Sequence, residues 1–215
     1  MDAHPVVHDE QPLHQAGRPL GDANVAVILL HGRGSTAQHI LALADWFKRP
    51  DVAYLAPQAF GNSWYPFSFL VPLEHNEPYL TSALRVVGNL VRSIEEAGIP
   101  AEQIILGGFS QGACLASEFV ARHARRYGGL FALSGGVIGP ADTPRDYPGS
   151  LEGTPVFIGC SDEDPHIPLA RVHESSDVFR RLGGNVTEKI YPGMGHTIND
   201  DEIAHVVAMI DALGS

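Results

Sequence analysis

The sequence is short of cysteine, of positive charge and of long apolar runs, and each shortage closes off a class of protein. Two cysteines, Cys114 and Cys160, cannot build the disulfide framework of a small secreted fold. Lys and Arg number 14 against 25 Asp and Glu, a net charge of -11. No window gathers enough basic residues to offset that, so neither a nucleic-acid partner nor an anionic membrane surface is expected. The longest clean aliphatic run, VAVILL at 25–30, is far shorter than the roughly 20 residues that span a bilayer. The opening MDAHPVVHDE lacks the basic and apolar regions of a secretory signal, which predicts a cytoplasmic protein. No Walker or dinucleotide-binding pattern occurs, and no cofactor is expected. His4, His8 and His14 invite a metal reading, but Pro5 interrupts any helix that would align them. A solvated arm without metal is the expectation there.

What is present is alternation. Short apolar runs at 25–30, 52–56, 103–107, 129–133, 154–159 and 185–191 read as strands, most of them apolar on both faces. Between them lie helical patterns at 36–48, 77–97, 111–126, 168–182 and 200–213. Gly98 and the Gly183-Gly184 pair stop two of these, and Asn199 ahead of Asp200, Asp201 and Glu202 caps the last. The pattern predicts an α/β sandwich with a mostly parallel sheet, helices on both faces and no large cap domain. Residues 24–215 form its single domain, and 1–23 an N-terminal arm or short edge strand. Such sheets bind ligands at the carboxyl ends of their strands, so the loops there carry the chemistry.

Gly108-Phe109-Ser110-Gln111-Gly112 matches G-x-S-x-G between a predicted strand and a predicted helix. A serine at such an elbow needs small residues two before and two after it, because strand and helix close on those positions. It also sits at a helix N-terminus, where free N–H groups favour developing negative charge. The same residues also describe a plain glycine-rich turn, so the serine's role depends on partners. His196, in the glycine-containing loop after the last strand, falls at the same sheet edge and is the candidate base. His166, His75 and His39 read as polar surface residues, and His173 and His205 as ordinary helix positions. The loop CSDEDPHIP offers Asp162, Glu163 and Asp164 as the acid, or else is an acidic surface turn. The order Ser, Asp, His is that of α/β hydrolases. In HGRGS the N–H of Arg33, paired with that of Gln111, would form an oxyanion hole; the same segment also serves as a strand-end turn with Ser35 as helix cap. The Arg33 side chain either adds positive potential at the mouth or stays solvated. Cys114, one turn after Ser110, reads as a buried apolar residue.

Taken together, LLHGRGS, LAPQA, GNSWYP, GGFSQGA, GCSDEDPHIP and PGMGH resemble, in order and spacing, the phospholipase/carboxylesterase family of α/β hydrolases, over about residues 24–213. That family includes acyl-protein thioesterases and small bacterial carboxylesterases. The resemblance implies Ser110 as nucleophile, His196 as base, Asp164 rather than Asp162 as acid, and Arg33 and Gln111 at the oxyanion positions. It departs at one place: Ser63-Trp64-Tyr65 is followed by Pro66, where the family often has Asp, and then by an unusual apolar loop. Trp64, Tyr65, Phe67, Phe69, Leu70 and Leu73 either wall an acyl or alcohol pocket or cover the core. The expected activity is a serine hydrolase of small-molecule or lipid-like carboxylic esters, thioesters or lysophospholipids, with room for a homodimer. An acyltransferase using the same acyl-enzyme, or a binding protein on the hydrolase scaffold, are the alternatives.

Overall fold

In the computed structural model, which describes residues 7–214, seven strands form one sheet in the order β1-β3-β2-β4-β5-β6-β7. These are β1 Leu13–Gly17, β2 Ala26–Leu30, β3 Ala53–Pro57, β4 Ile104–Phe109, β5 Gly129–Leu133, β6 Pro155–Ser161 and β7 Asn185–Tyr191. β1 lies antiparallel on β3 at one edge, and every other pairing is parallel. The six helices are α1 Ala37–Leu41, α2 Leu43–Phe47, α3 Tyr79–Glu96, α4 Gln111–Arg122, α5 Leu169–Arg181 and α6 Asp200–Asp211.

The interior strands β2 to β6 are buried almost throughout because both faces are covered, whereas the edge strands β1 and β7 alternate exposed with half-buried positions. Along β2, Ala26, Ile28 and Leu30 join one core with residues of α3, α4 and α5, while Val27 and Leu29 join a second with residues of α1, α2 and α6. This period-two division of one strand between two cores requires a three-layer sandwich. α3 shows the complementary helical period, burying Leu80, Leu84, Val87, Leu90, Val91 and Ile94 on one side.

The pattern at 36–48 is broken in two, with Ala42 ending α1 and starting α2. Its cap is Thr36 rather than Ser35: the Thr36 hydroxyl accepts from the His39 N–H at 3.1 Å. At α6 the Asn199 cap is a full capping box with Glu202. The solvated arm is corrected around His8. That imidazole is buried, its Nδ1 accepting from the Phe60 N–H at 3.0 Å while Nε2 donates to the Trp64 carbonyl at 3.0 Å. Burial holds its pKa below the ordinary histidine value, which fits a neutral ring with one donor and one acceptor nitrogen. His4 lies outside the described residues. Among the described residues no cluster of His, Cys, Asp and Glu could hold a metal ion, and no helix is long and apolar enough to cross a membrane.

Candidate active site

Ser110 stands where β4 turns into α4, with φ +56° and ψ -121°, outside the regions that side-chain-bearing residues favour. A Cβ added at Gly108 or at Gly112 would run into the Leu30 carbonyl of β2. Only glycine lets strand and helix close that tightly, which is why two glycines flank the serine. Strain of this kind costs on the order of 1–3 kcal/mol and persists only where the surroundings fix it. Here the Ser110 N–H donates to the Leu133 carbonyl at 2.9 Å and its carbonyl accepts from the Cys114 N–H at 3.0 Å.

His196 comes from the loop between β7 and α6. Its Nε2 lies 2.9 Å from Ser110 Oγ, and its Nδ1 lies 2.7 Å from Asp164 Oδ2. The Phe109 ring, 4.7 Å away, and the His166 ring, 4.8 Å away and edge-on, flank the imidazole. Asp164 is shut off from solvent, and its Oδ1 accepts from the N–H groups of His166 at 2.8 Å and Ile167 at 3.0 Å. Burial alone would push this carboxyl up; the hydrogen bonds from His196, His166 and Ile167 outweigh it and hold it below its ordinary value. An ionised acceptor at Oδ2 makes Nδ1 the donor, which leaves Nε2 free to accept from the serine hydroxyl.

The other two carboxylates of that loop are placed elsewhere. Asp162 Oδ1 accepts from the Gly193 N–H at 2.8 Å, and the Ser161 hydroxyl accepts from the Gly195 N–H at 3.0 Å. Both bonds tie the His196 loop to the end of β6. Glu163 is exposed.

The HGRGS segment begins with a buried His31, whose Nε2 accepts from the Ala59 N–H at 3.1 Å while Nδ1 donates to the Gly32 carbonyl at 2.8 Å. This bracket fixes the loop beside Ser110. Among the described residues, the N–H groups of Arg33 and Gln111 have no protein acceptor. The Arg33 side chain is exposed and lines the cleft, and it is tethered there rather than free. It donates to Ser63 Oγ at 3.1 Å, the Pro66 carbonyl at 2.7 Å and the Phe67 carbonyl at 2.5 Å, clamping the apolar loop. The Gln111 side chain does the same from below, accepting from the Trp64 N–H at 2.9 Å and donating to the Tyr65 carbonyl at 2.8 Å.

A cleft of about 920 Å³ opens over Ser110 and His196. The apolar loop divides between the two roles open to it. Tyr65, Phe67 and Phe69 line the cleft, whereas Trp64 and Leu70 do not. Trp64 is a core residue with no exposed surface, its indole N–H donating to the His31 carbonyl at 2.9 Å. Leu70 and Leu73 pack on the core. His39 and His166, read from sequence as surface residues, are exposed but line the cleft, as does the buried Cys114. Only the Asp164-Pro165 turn signal hinted that the next two N–H groups would hold a carboxylate.

An α/β sandwich carrying a serine at its strand–helix elbow, a histidine and a buried carboxylate in one hydrogen-bonded line has the fold and layout of an α/β hydrolase. The chain belongs to the phospholipase/carboxylesterase family, whose sequence profile matches residues 18–213. A phospholipase/carboxylesterase from Dyadobacter fermentans, known from its crystal structure, is 44% identical, with a TM-score of 0.91 over 99% of this chain and 100% of that one. Acyl-protein thioesterase 1 of Saccharomyces cerevisiae is 29% identical over 87% of this chain and 92% of its own. Acyl-protein thioesterase 1 of Gibberella zeae is 32% identical over 57% of this chain, and the matched stretch spans about half of that relative, 53%.

Proposed function

We propose that this chain is a cofactor-independent serine hydrolase of carboxylic esters, thioesters included, working through an acyl-enzyme on Ser110. The observation that carries the reading is the unbroken line from Ser110 Oγ through His196 to Asp164 at the floor of the cleft. Ser110 Oγ attacks the acyl carbonyl carbon as His196 Nε2 takes its proton. The carbonyl oxygen becomes an oxyanion between the N–H groups of Arg33 and Gln111. Each such donor contributes about 3 kcal/mol to lowering the barrier. The imidazolium then gives its proton to the departing alkoxide or thiolate, and the acyl group stays on Ser110. A water deprotonated by His196 repeats the attack and releases the acid. Asp164 keeps the imidazole in the right tautomer and stabilises its cation.

A fluorophosphonate probe followed by peptide mapping tests this. Stoichiometric labelling of Ser110, abolished in Ser110→Ala together with ester hydrolysis, is the expected result. A folded Ser110→Ala protein that still hydrolyses esters at the wild-type rate would overturn it.

A further inference from the structure

Asp164 Oδ2 serves two groups: His196 Nδ1 reaches it at 2.7 Å, and the thiol of Cys160, on β6, reaches it at 3.7 Å. We propose that Cys160 is a positioning residue for the triad, its S–H holding the Asp164 carboxylate and tempering the charge it presents to His196.

The place of the thiol in the fold supports this. Cys160 is buried without exposed surface, one residue before the end of β6. The main chain beneath it is pinned, with the Ser134 N–H donating to the Gly159 carbonyl at 2.8 Å and Ser134 itself at φ +52°. Burial, and then the Asp164 carboxylate, push the thiol up to about 12, so at neutral pH the sulfur keeps its hydrogen. A protonated thiol beside an ionised carboxylate is a donor, weak but charge-assisted. Asp164 also accepts from the N–H groups of His166 and Ile167 through Oδ1, so Oδ2 is the oxygen on which thiol and imidazole compete. Other titratable groups near this pair are His166, edge-on to His196, and Glu202 of α6, whose charge bears on Cys160.

The sign follows. Each donor on a carboxylate lowers its hold on a cation beside it. Removing the thiol leaves Oδ2 to the imidazole alone and strengthens its hold on the cation formed there, so the acid limb of kcat/KM moves to higher pH.

The experiment compares wild type, Cys160→Ala and Cys160→Ser by the pH profile of kcat/KM on a chromogenic ester. It also measures fluorophosphonate labelling of Ser110 in all three. The acid limb is expected to move up by about half a pH unit in Cys160→Ala, a roughly threefold loss on that limb. Cys160→Ser, which keeps a donor, is expected to stay near the wild-type limb. Profiles that superimpose, a limb moved downward, or equal shifts in both variants would overturn the proposal, the last because packing rather than donation would then be at work. The inference rests on the hydrolase reading, and the labelling separates the two. A wild type that does not label at Ser110 sinks both, whereas normal labelling with unmoved profiles sinks only the role of the thiol. Should Cys160→Ala fail to fold, the serine variant and a Cys160→Val variant, which fills the volume without a donor, provide the same contrast.

Discussion

His196 Nε2 lies 2.9 Å from Ser110 Oγ although 86 residues separate the two in sequence. In the sheet their strands, β7 and β4, are kept apart by β5 and β6, so the loop after β7 must reach back across two strand ends. It is held in that position by Asp162 and Ser161, which accept from Gly193 and Gly195, while Asp164 receives the imidazole. The contacts that hold His196 and its loop thus come from Ser161 at the end of β6 and from Asp162 and Asp164 just beyond it.

The first prediction separates the two aspartates of that loop. Asp164→Asn would remove the anion facing His196 Nδ1 and offer an amide that can hold the wrong tautomer. A loss of about three to four orders of magnitude in kcat is expected with the circular dichroism spectrum unchanged. Asp162→Asn keeps an oxygen for the Gly193 N–H and is expected to lose no more than a few-fold. Equal losses in the two variants would show that Asp164 has no special role.

A second prediction concerns the elbow. In Gly112→Ala the new methyl would meet the Leu30 and His31 carbonyls, both backbone and unable to step aside. Overpacking of this sort costs about 1–3 kcal/mol or more. The urea midpoint is expected to fall, and activity with it, since Ser110 moves as the helix is pushed off the sheet. A variant with wild-type stability would mean that α4 has more freedom than the structure gives it.

The parts that could be read from the sequence were those written as local pattern. The strand run 25–30 was legible because a strand covered on both faces is apolar at every position. Ser110 was legible because tight approach demands glycine at 108 and 112. The cap of α1 was misread by one residue, since Ser35 and Thr36 are chemically equivalent there and only backbone direction chooses between them. His8 was misread because its burial depends on Trp64 and Phe60, more than 50 residues away, and no local pattern encodes that. The same holds for the apolar loop. Trp64 and Phe69 look alike in sequence and both join the core, yet with the loop held by the Arg33 and Gln111 side chains only Phe69 also lines the cleft.

Phe69 therefore supports a third prediction. Its ring lies under the Arg171 guanidinium at 5.7 Å, and its carbonyl accepts from the Gly139 N–H at 2.7 Å, so the wall is held from behind. Phe69→Ala would deepen the cleft there, with a stability loss of about 3 kcal/mol. Across a series of aryl esters, the preferred acyl chain is expected to lengthen relative to wild type. An unchanged length profile would place the acyl group against another wall.

The last prediction concerns Glu202, a buried carboxyl outside the cleft. Its Oε2 accepts from the Asn199 N–H at 2.9 Å in the α6 capping box, while Oε1 has no partner among the described residues. Burial raises its pKa, the Asn199 N–H lowers it and Asp201 raises it, for a net value of about 7. In the unfolded chain an ordinary glutamate loses its proton near 4.3. Between those values the native protein binds the extra proton, so stability falls as pH rises through the window, by on the order of 3 kcal/mol in total. Glu202→Gln keeps an oxygen for the Asn199 N–H and carries no charge. Its melting temperature is expected to match wild type near pH 4.5 and to exceed it by about 8 °C at pH 8. Scanning fluorimetry of both proteins across that range isolates this group, because every other titration cancels in the difference. Parallel curves would show that Glu202 is ionised throughout and that its burial is offset by an interaction beyond the capping box.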